Sequence, residues 1–243
     1  MRMLTFAKRN FKEIVRDPLN LSFLFGFPIV LLLLLSAIQA NIPVSMFEIE
    51  HLAPGIAVFG LAFMTLFSAT VIAKDRQSSF MQRLYTTPMT PVDFILGYTL
   101  PLIPVAFAES VACYLFAVIL GLDVSINILL SIVFIIPIAL LYIAIGLLCG
   151  SVFNDKQVGG ICGALLTNLS AWLSGIWFDL ELVGGAFQKV AYALPFVHAV
   201  ELERAVLVGN FTQALPHLWW VLGYAFVLLS IAILLFLRQM RNQ

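Results

Sequence analysis

Long apolar runs separated by short polar segments dominate this chain. A helix needs about 20 consecutive apolar residues to cross the hydrocarbon core of a membrane. Six runs reach that length, at positions 21–40, 55–73, 94–120, 126–153, 158–178 and 218–237. Pro101 lies inside the third run, where a proline usually kinks a membrane helix. The pattern predicts an all-α integral membrane protein with six transmembrane helices in a single domain over residues 1–243.

Residues 1–18, ahead of the first run, have the period of an amphipathic helix. Apolar side chains fall on one stripe and basic side chains on the opposite face, and Asp17 and Pro18 end the pattern. A basic amphipathic helix before a span is typical of a helix that lies in the headgroup layer of an anionic leaflet. A plain anchoring flank is the alternative.

The segment 180–209 is also apolar, but it is not expected to be a span. The pair Gly184 and Gly185, together with Pro195 and Gly209, divides it into pieces that are too short to cross. The chain has to leave and return on the same face here, which predicts short re-entrant helices between spans five and six. They either shape an exit on the outer face or cap the bundle.

Composition and charge agree with a membrane protein of defined orientation. Hydrophobic residues make up 62% of the chain, which excludes an ordinary soluble domain. The net charge is zero, so it gives no indication of nucleic-acid binding. All 13 Lys and Arg residues except Lys189 and Arg204 fall on the side of the N-terminus. The positive-inside rule therefore predicts that both termini are cytoplasmic. The acidic residues assigned to the outer side are Glu48, Glu50, Asp123, Asp179, Glu181, Glu201 and Glu203.

The motifs of several enzyme classes are absent from the sequence. It contains no phosphate-binding loop of the form G-x-x-x-x-G-K-[S/T], no H-E-x-x-H and no G-x-S-x-G. Cys113, Cys149 and Cys162 lie in apolar runs without metal-ligand spacing, so we expect neither disulfides nor a metal site. If the protein uses ATP, another polypeptide hydrolyses it.

A short basic loop, 74–93, joins the second and third runs and contains an amphipathic stretch. Such a stretch can place its apolar side chains in the groove of a cytoplasmic partner while its arginines pair at the rim. A partner bound there could move the spans on either side. The alternative is that the loop is only a topology signal. Its candidate contact residues are Arg76, Ser79, Phe80, Met81, Gln82, Arg83, Leu84, Thr87 and Pro88.

Glu109 is the one carboxylate that the runs place deep within a span. An ionised group there costs about 2.5 kcal/mol or more, so an intramembrane acid is a functional candidate. Handling of a substrate or a proton is one interpretation. A hydrogen bond to a hydroxyl, phenol or amide of the same chain is the other.

The fifth run is unusually rich in polar and aromatic side chains. Asn168 and Trp172 share one helix face because they are four residues apart. We expect this span either to line a pathway or to hydrogen-bond with neighbouring helices. The candidate pathway residues are Glu109, Thr167, Asn168, Ser170, Trp172 and Ser174.

A polar group follows Pro195 on the predicted outer side, with His198, Glu201, Glu203 and Arg204 as its members. His198 and Glu201 are three residues apart, but one such pair falls short of a metal site. Outer-surface hydrogen bonding, or pairing of Glu201 with Arg204, is favoured.

Four features together resemble the type-2 ABC exporter permeases, which are six-span subunits that pair with a separate ATPase. The chain departs from the family pattern at Gln82, where Glu is common, and at Ser79 and Phe80, where Gly and Thr are common. The features are the basic helix leading through Arg16-Asp17-Pro18, the loop with Met81-Gln82-Arg83-Leu84, Thr87-Pro88 and Leu96-Gly97, the segment 173–178, and the segment 193–198 with Glu201 and Arg204.

This resemblance implies a dimer of permease subunits that forms the substrate pathway in a bacterial inner membrane. Two ATPase subunits would dock on the cytoplasmic side and carry ATP and Mg, so this chain itself is expected to hold no cofactor and not to be an enzyme. The resemblance also implies that residues around 78–86 form the coupling helix, with Asp155 and Lys156 as a lesser contact. The aromatic-rich spans suit an amphiphilic cargo such as a drug, an antibiotic, a lipid or a lipid-linked glycan, and they suit contact with membrane lipid equally well.

Two other function classes compete with this interpretation. A secondary transporter acting alone would use Glu109, but it should also show several intramembrane charges and repeated broken helices. An intramembrane enzyme should show a recognisable catalytic motif or a cluster of carboxylates at one depth. The sequence shows neither pattern.

Overall fold

The structure, a computed structural model, describes residues 2–42, 47–78, 87 and 89–241. These residues form helices and connecting turns without a strand, which confirms the all-α class. The helices are α1 Arg2–Val15, α2 Pro18–Leu21, α3 Phe27–Asn41, α4 Ile49–Gln77, α5 Pro91–Thr99, α6 Leu102–Ile119, α7 Ile126–Val152, α8 Asp155–Val158, α9 Thr167–Trp172, α10 Leu180–Val183, α11 Gly185–Ala193, α12 Pro195–Val208 and α13 Phe211–Arg241. The π-helical segments Ser22–Gly26 and Gly159–Leu166 join α2 to α3 and α8 to α9.

Five helical stretches of the described chain are long and apolar enough to cross a membrane. Each one overlaps a predicted run, and the third is interrupted at Pro101, where the missing backbone N–H separates α5 from α6. The cytoplasmic position of the termini and the re-entrant character of 180–209 stay predictions. The five stretches are Ser22–Asn41, Ile49–Gln77, Pro91–Ile119, Ile126–Val152 and Phe211–Arg238.

The fifth predicted run, 158–178, is the one predicted run that none of these five stretches overlaps. The chain is helical from Asp155 to Trp172 and then turns over residues 173–178. Gly175 has a φ of +72°, a left-handed conformation that favours glycine, and it belongs to the turn that ends the helix. Leu173 and Ile176 in this turn are buried. The last part of the apolar run therefore fills the bundle interior instead of extending a helix, and a crossing at this stretch stays a prediction.

Helix α4 lies at the centre of the bundle. Almost every residue from Leu52 to Ala73 is buried, whereas most of the surface of α3 and α13 is exposed. Helix α4 packs against α3, α6, α7 and α12. An exposed apolar helix surface is expected where lipid is the neighbour, and a helix that is buried on all sides must be surrounded by other helices. The position of α4 therefore fixes the positions of its neighbours.

Glycines of α7 allow its backbone to lie directly against α4. A Cβ atom at Gly146 would overlap Ser68 Oγ and would lie 2.5 Å from the carbonyl oxygen of Thr65. A Cβ atom at Gly150 would lie 2.7 Å from the carbonyl oxygen of Ala69. Small residues commonly permit such approaches between membrane helices.

Both ends of the chain lie at the same end of the bundle. The ring of Phe6 in α1 meets Tyr98 edge to face at 4.9 Å between centroids, and Phe236 near the end of α13 lies 6.1 Å from Phe94. We call this the inner end, because the charge distribution predicts that it faces the cytoplasm, and the opposite one the outer end. Helix α12 lies near the outer end and is about 21 Å long, too short to cross a bilayer.

Replacing Gly146 by Ala tests the contact between α4 and α7. The added methyl group has no room beside Thr65 and Ser68, so we expect a loss of about 1–3 kcal/mol in the free energy of unfolding. The matched control is Gly223→Ala in α13, where a Cβ meets nothing within 4 Å. Thermal stability in detergent would be compared for the two variants, and equal values would contradict the proposed contact.

Candidate functional site

The inner end of α4 carries a buried carboxylate, Asp75, whose side chain is 4% exposed. Arg9 of α1 donates to both of its oxygens, from Nη1 to Oδ2 at 2.6 Å and from Nη2 to Oδ1 at 2.9 Å. The hydroxyl of Tyr98 in α5 donates to Oδ2 at 2.9 Å. Charge-assisted bidentate pairs of this kind are among the stronger hydrogen bonds in proteins. Asp75 therefore joins α4, α1 and α5 at one point, which we call the Asp75 cluster.

Helix α1 also packs on α5 through its own side chains. The ring of Phe6 occupies the space that a side chain at position 97 would need, because that residue is Gly97. Asn10 Nδ2 donates to the carbonyl oxygen of Gly97 at 3.0 Å, and Asn10 is fully buried. The amphipathic helix is thus attached to the bundle. Its location in a headgroup layer stays a prediction. The exposed side chains of this helix include Leu4, Lys8, Phe11, Lys12 and Val15.

Arg76, the next residue of α4, makes its contacts within the chain. Its Nη1 donates to the carbonyl oxygen of Gly150 at 2.7 Å and to that of Phe153 at 3.4 Å. These carbonyls belong to the end of α7, where backbone oxygens lack helical partners and a cation is favourable. Arg76 therefore ties the end of α4 to α7. Its predicted contact with a partner protein stays a prediction.

Thr87 is the one further candidate of the predicted coupling loop that belongs to the described residues. Thr87 is exposed. The two helices that flank the loop, α4 and α5, are both held by α1 through the Asp75 cluster. In the second inner loop, Asn154 and Gln157 cap α8 reciprocally, and Lys156 between them is exposed. The candidate residues Ser79, Phe80, Met81, Gln82, Arg83, Leu84 and Pro88 lie outside the described residues.

Glu109 lies in the bundle interior and is fully buried. The thiol of Cys113 donates to its Oε1 at 3.2 Å, and Oε2 has no hydrogen-bond partner among the described residues. Its carboxyl group occupies the space beside Gly60 of α4, where a Cβ atom would overlap it. A hydrogen bond within the chain is therefore present, but the donor is a thiol and not one of the expected groups.

Glu203 is a second buried carboxylate. It lies in α12 near the outer end, so its assignment to the outer side stays a prediction, but its side chain faces the interior of the bundle and not an outer surface. It is fully buried, and its Oε2 accepts a hydrogen bond from the hydroxyl of Tyr114 in α6 at 3.0 Å. In the sequence it stands between two other charged residues, Glu201 and Arg204. The apolar period of Ala199, Leu202 and Val206 around it would have placed it on the inward face of α12.

The polar residues of the fifth run divide into two groups. Thr167, Ser170 and Ser174 are buried, and their hydroxyls donate to backbone carbonyls of the same stretch of chain. Asn168 and Trp172 are exposed on one helix face, and Asn168 Nδ2 donates to the carbonyl oxygen of Ala164 at 2.7 Å. Only the exposed pair can meet a substrate or a second protein without rearrangement.

Two histidines pair near the outer end, next to α11. His198 Nε2 lies 3.0 Å from the carbonyl oxygen of Tyr192, so this nitrogen carries the proton and donates. The Nδ1 of a neutral His198 must then accept from Nδ1–H of His217, at 2.8 Å. Trp220 stacks on His198 at 4.7 Å. Burial, and to a smaller extent His217, lower the pKa of His198, which favours this neutral form.

Arg204 belongs to α12 and lies beside the outer end of α4. Its side chain pairs with Glu201 at 2.9 Å, which confirms the expected pair. Pro195 begins the helix that carries both residues. A cavity of about 280 Å³ opens beside them. Its lining includes His51, Gly175, Asp179 and Tyr192 as well as this pair.

A sequence model of the ABC-2 type transporter family matches residues 1–208 of the chain. The match extends from the first helix to the end of α12, so it includes the Asp75 cluster, Glu109, Glu203 and Arg204. No curated protein sequence matches the chain.

Asp75→Asn tests whether the Asp75 cluster holds α1 on the bundle. The substitution removes the charge that Arg9 meets, so we expect α1 to be held less tightly by about 1–3 kcal/mol. Amide hydrogen exchange of residues 2–16 should rise accordingly. Glu13→Gln is the control, because Glu13 pairs with Arg9 at a half-exposed position and should contribute little. Equal exchange in the two variants would contradict the role given to Asp75.

Proposed function

Since the chain belongs to the ABC-2 type transporter family, we propose that it is one half of an export permease driven by a separate ATPase. The chain is a multi-pass membrane permease subunit, and permeases of this family work with an ABC ATPase. In the proposed complex two permease subunits, identical or different, form the pathway. Two ATPase subunits bind ATP and Mg on the cytoplasmic side of a bacterial inner membrane.

The Asp75 cluster is the observation that carries the coupling part of this proposal. A loop that receives a movement from an ATPase transmits it only if both of its ends are firmly attached to the spans. Here α1 holds the end of α4 through Arg9, and it holds α5, the helix that follows the loop, through Asn10. Arg76 adds a tie to α7. A movement of the loop 78–90 would therefore displace several helices together.

The exposed face of the helical chain from Asp155 to Trp172, in the fifth predicted run, supports a dimer. Gly160, Ala164, Asn168 and Trp172 follow one another at intervals of four residues, and all four are exposed. An amide that faces lipid is unfavourable, whereas small residues permit close approach of a second helix. We infer that this stripe faces the second permease subunit and the pathway between the two.

The cargo that fits this stripe is amphiphilic. The face combines an amide with an indole ring and small residues, so it offers one hydrogen-bonding group within an apolar surface. A drug, an antibiotic, a lipid or a lipid-linked glycan has the matching distribution of polar and apolar groups. The proposal therefore assigns a cargo of this class to the dimer.

A secondary transporter that uses Glu109 is the second candidate. The observation in its favour is that Glu109 is fully buried and that one of its oxygens has no partner among the described residues. A carboxyl group in that state can take up a proton or a cation. This candidate requires no ATPase, which distinguishes it from the first.

Purification from a detergent extract tests the coupling proposal. We expect an ATPase to co-purify with the wild-type chain, and the double variant Phe80→Asp, Leu84→Asp to lose at least about 90% of it, because charges would enter an apolar groove. The matched control places the same charges on the outer side, as Val124→Asp, Leu182→Asp, where both residues are exposed. A wild-type chain that purifies without any ATPase would favour the secondary transporter.

Cysteine cross-linking tests the dimer face, in a variant whose three native cysteines are replaced by alanine. We expect Ala164→Cys and Asn168→Cys to form cross-linked dimers in membranes, since the exposed stripe would face its counterpart. Thr167→Cys and Ser170→Cys are the controls, because these neighbours are buried within the chain. Cross-linking at the buried positions but not at the stripe would exclude this face.

A further inference from the structure

Arg204 makes three hydrogen bonds, and two of them go to backbone carbonyls of different elements. Nη2 donates to the carbonyl oxygen of Gly175 at 3.2 Å, and Nε donates to that of His51 at a long 3.4 Å. Nη1 donates to Glu201 at 2.9 Å. The side chain is only 11% exposed. One guanidinium thus connects the first turn of α4, the turn after α9 and its own helix α12.

The local sequence shapes both carbonyl acceptors for this contact. The positive φ of Gly175 belongs to the turn that presents its carbonyl. Gly55, one turn into α4 from His51, lies beside the same contact, and a Cβ there would be at ordinary van der Waals distance from Ile176 and Arg204 Nη2, 3.4 and 3.7 Å. A planar guanidinium with donors on three nitrogens can reach several acceptors at once, which a lysine ammonium on its flexible stem does less well.

The same helix is fixed on another side by the residue next to Arg204. Glu203 points about 100° away around α12 and accepts from Tyr114 of α6. Two consecutive residues therefore attach α12 to three elements, namely α4, α6 and the turn that follows α9. A helix held in this way follows its neighbours instead of moving independently.

Helix α4 connects this contact with the loop at the opposite end. It has 29 residues and is therefore about 43 Å long. Its inner end carries the Asp75 cluster and Arg76, and its outer end carries His51. Because most of it is buried, a displacement at one end reaches the other end without bending into lipid or water.

We propose that Arg204 is a positioning residue of the transport cycle. It ties the outer end of α4 to α12 and to the turn at Gly175, so that a displacement of α4 at the inner loop moves the outer segment 173–208. The proposal rests on the proposed coupling to an ATPase. It adds which residue transmits the movement to the outer end.

A variant without this tie is expected to fold. The cavity of about 280 Å³ beside Arg204 is lined by His51 and Gly175, so water can reach the carbonyls that lose their donor. Arg204→Lys keeps the positive charge next to Glu201 but does not hold the carbonyls of two elements together. Arg204→Gln is a second variant, without the charge. His51→Ala is the control, because it leaves the carbonyl acceptor in place.

The experiment measures amide hydrogen exchange of the purified permease–ATPase complex in nanodiscs, without nucleotide and after trapping with ATP and vanadate. In the wild type and in His51→Ala, we expect trapping to change exchange both beside the inner loop and in residues 173–183. In Arg204→Lys the exchange change beside the inner loop should remain. The exchange change in residues 173–183 should fall by about three- to tenfold, because that is the effect of losing hydrogen bonds of ordinary strength.

The outcomes distinguish a failure of the role given to Arg204 from a failure of the proposed coupling to an ATPase. An outer change in Arg204→Lys and Arg204→Gln that equals the wild-type change overturns the proposal. If the Arg204 variants lose the exchange change beside the inner loop and the one in residues 173–183 to the same degree, the proposal is also overturned, because Arg204 would then only stabilise the fold. If no ATPase co-purifies with the wild-type chain, the proposed function is contradicted. In that case, unchanged exchange of residues 173–183 in nucleotide-free Arg204→Lys would show that no tie exists.

Discussion

The backbone of α4 lies directly against the backbone of α7 at Gly146 and Gly150, and the arrangement of the other helices depends on that contact. In lipid, apolar side chains gain little from meeting one another, so membrane helices associate through close packing and hydrogen bonds. The hydrogen bond from Thr65 to the carbonyl oxygen of Tyr142, at 3.0 Å, supplies one such bond at the same interface. Once α4 is held there, its position determines where α3, α6 and α12 can pack.

The two ends of α4 are held by the same kind of chemistry. Arg76 at the inner end and Arg204 at the outer end each donate to backbone carbonyls of a neighbouring element. The carbonyl of Gly150 lies in the last turn of α7, where backbone oxygens lack helical partners, so Arg76 also satisfies a group that would otherwise need water. The helix is therefore anchored by polar contacts at both of its ends and by close packing between them.

The helical class and the positions of five apolar runs were predictable, because composition over about 20 residues decides whether a helix suits a membrane. The point at which the helix in the fifth predicted run ends was not predictable, since the buried side chains of the turn around Gly175 are as apolar as those of a span. The burial of Glu203 was not foreseen, because its charged neighbours, and not its helical face, guided the assignment. The acceptors of Arg76 and Arg204 are backbone atoms, which leave no pattern in a sequence.

The fit between Gly60 and Glu109 has a consequence for how this protein can evolve. The carboxyl group fills the volume that a side chain at position 60 would need. A larger residue at 60 is therefore acceptable only after position 109 has become smaller, and a smaller residue at 109 leaves a hole until position 60 grows. The two positions are expected to change as a pair, with the order of the changes limited by the less stable intermediate. We therefore expect the acid to be inherited together with the glycine on the facing helix.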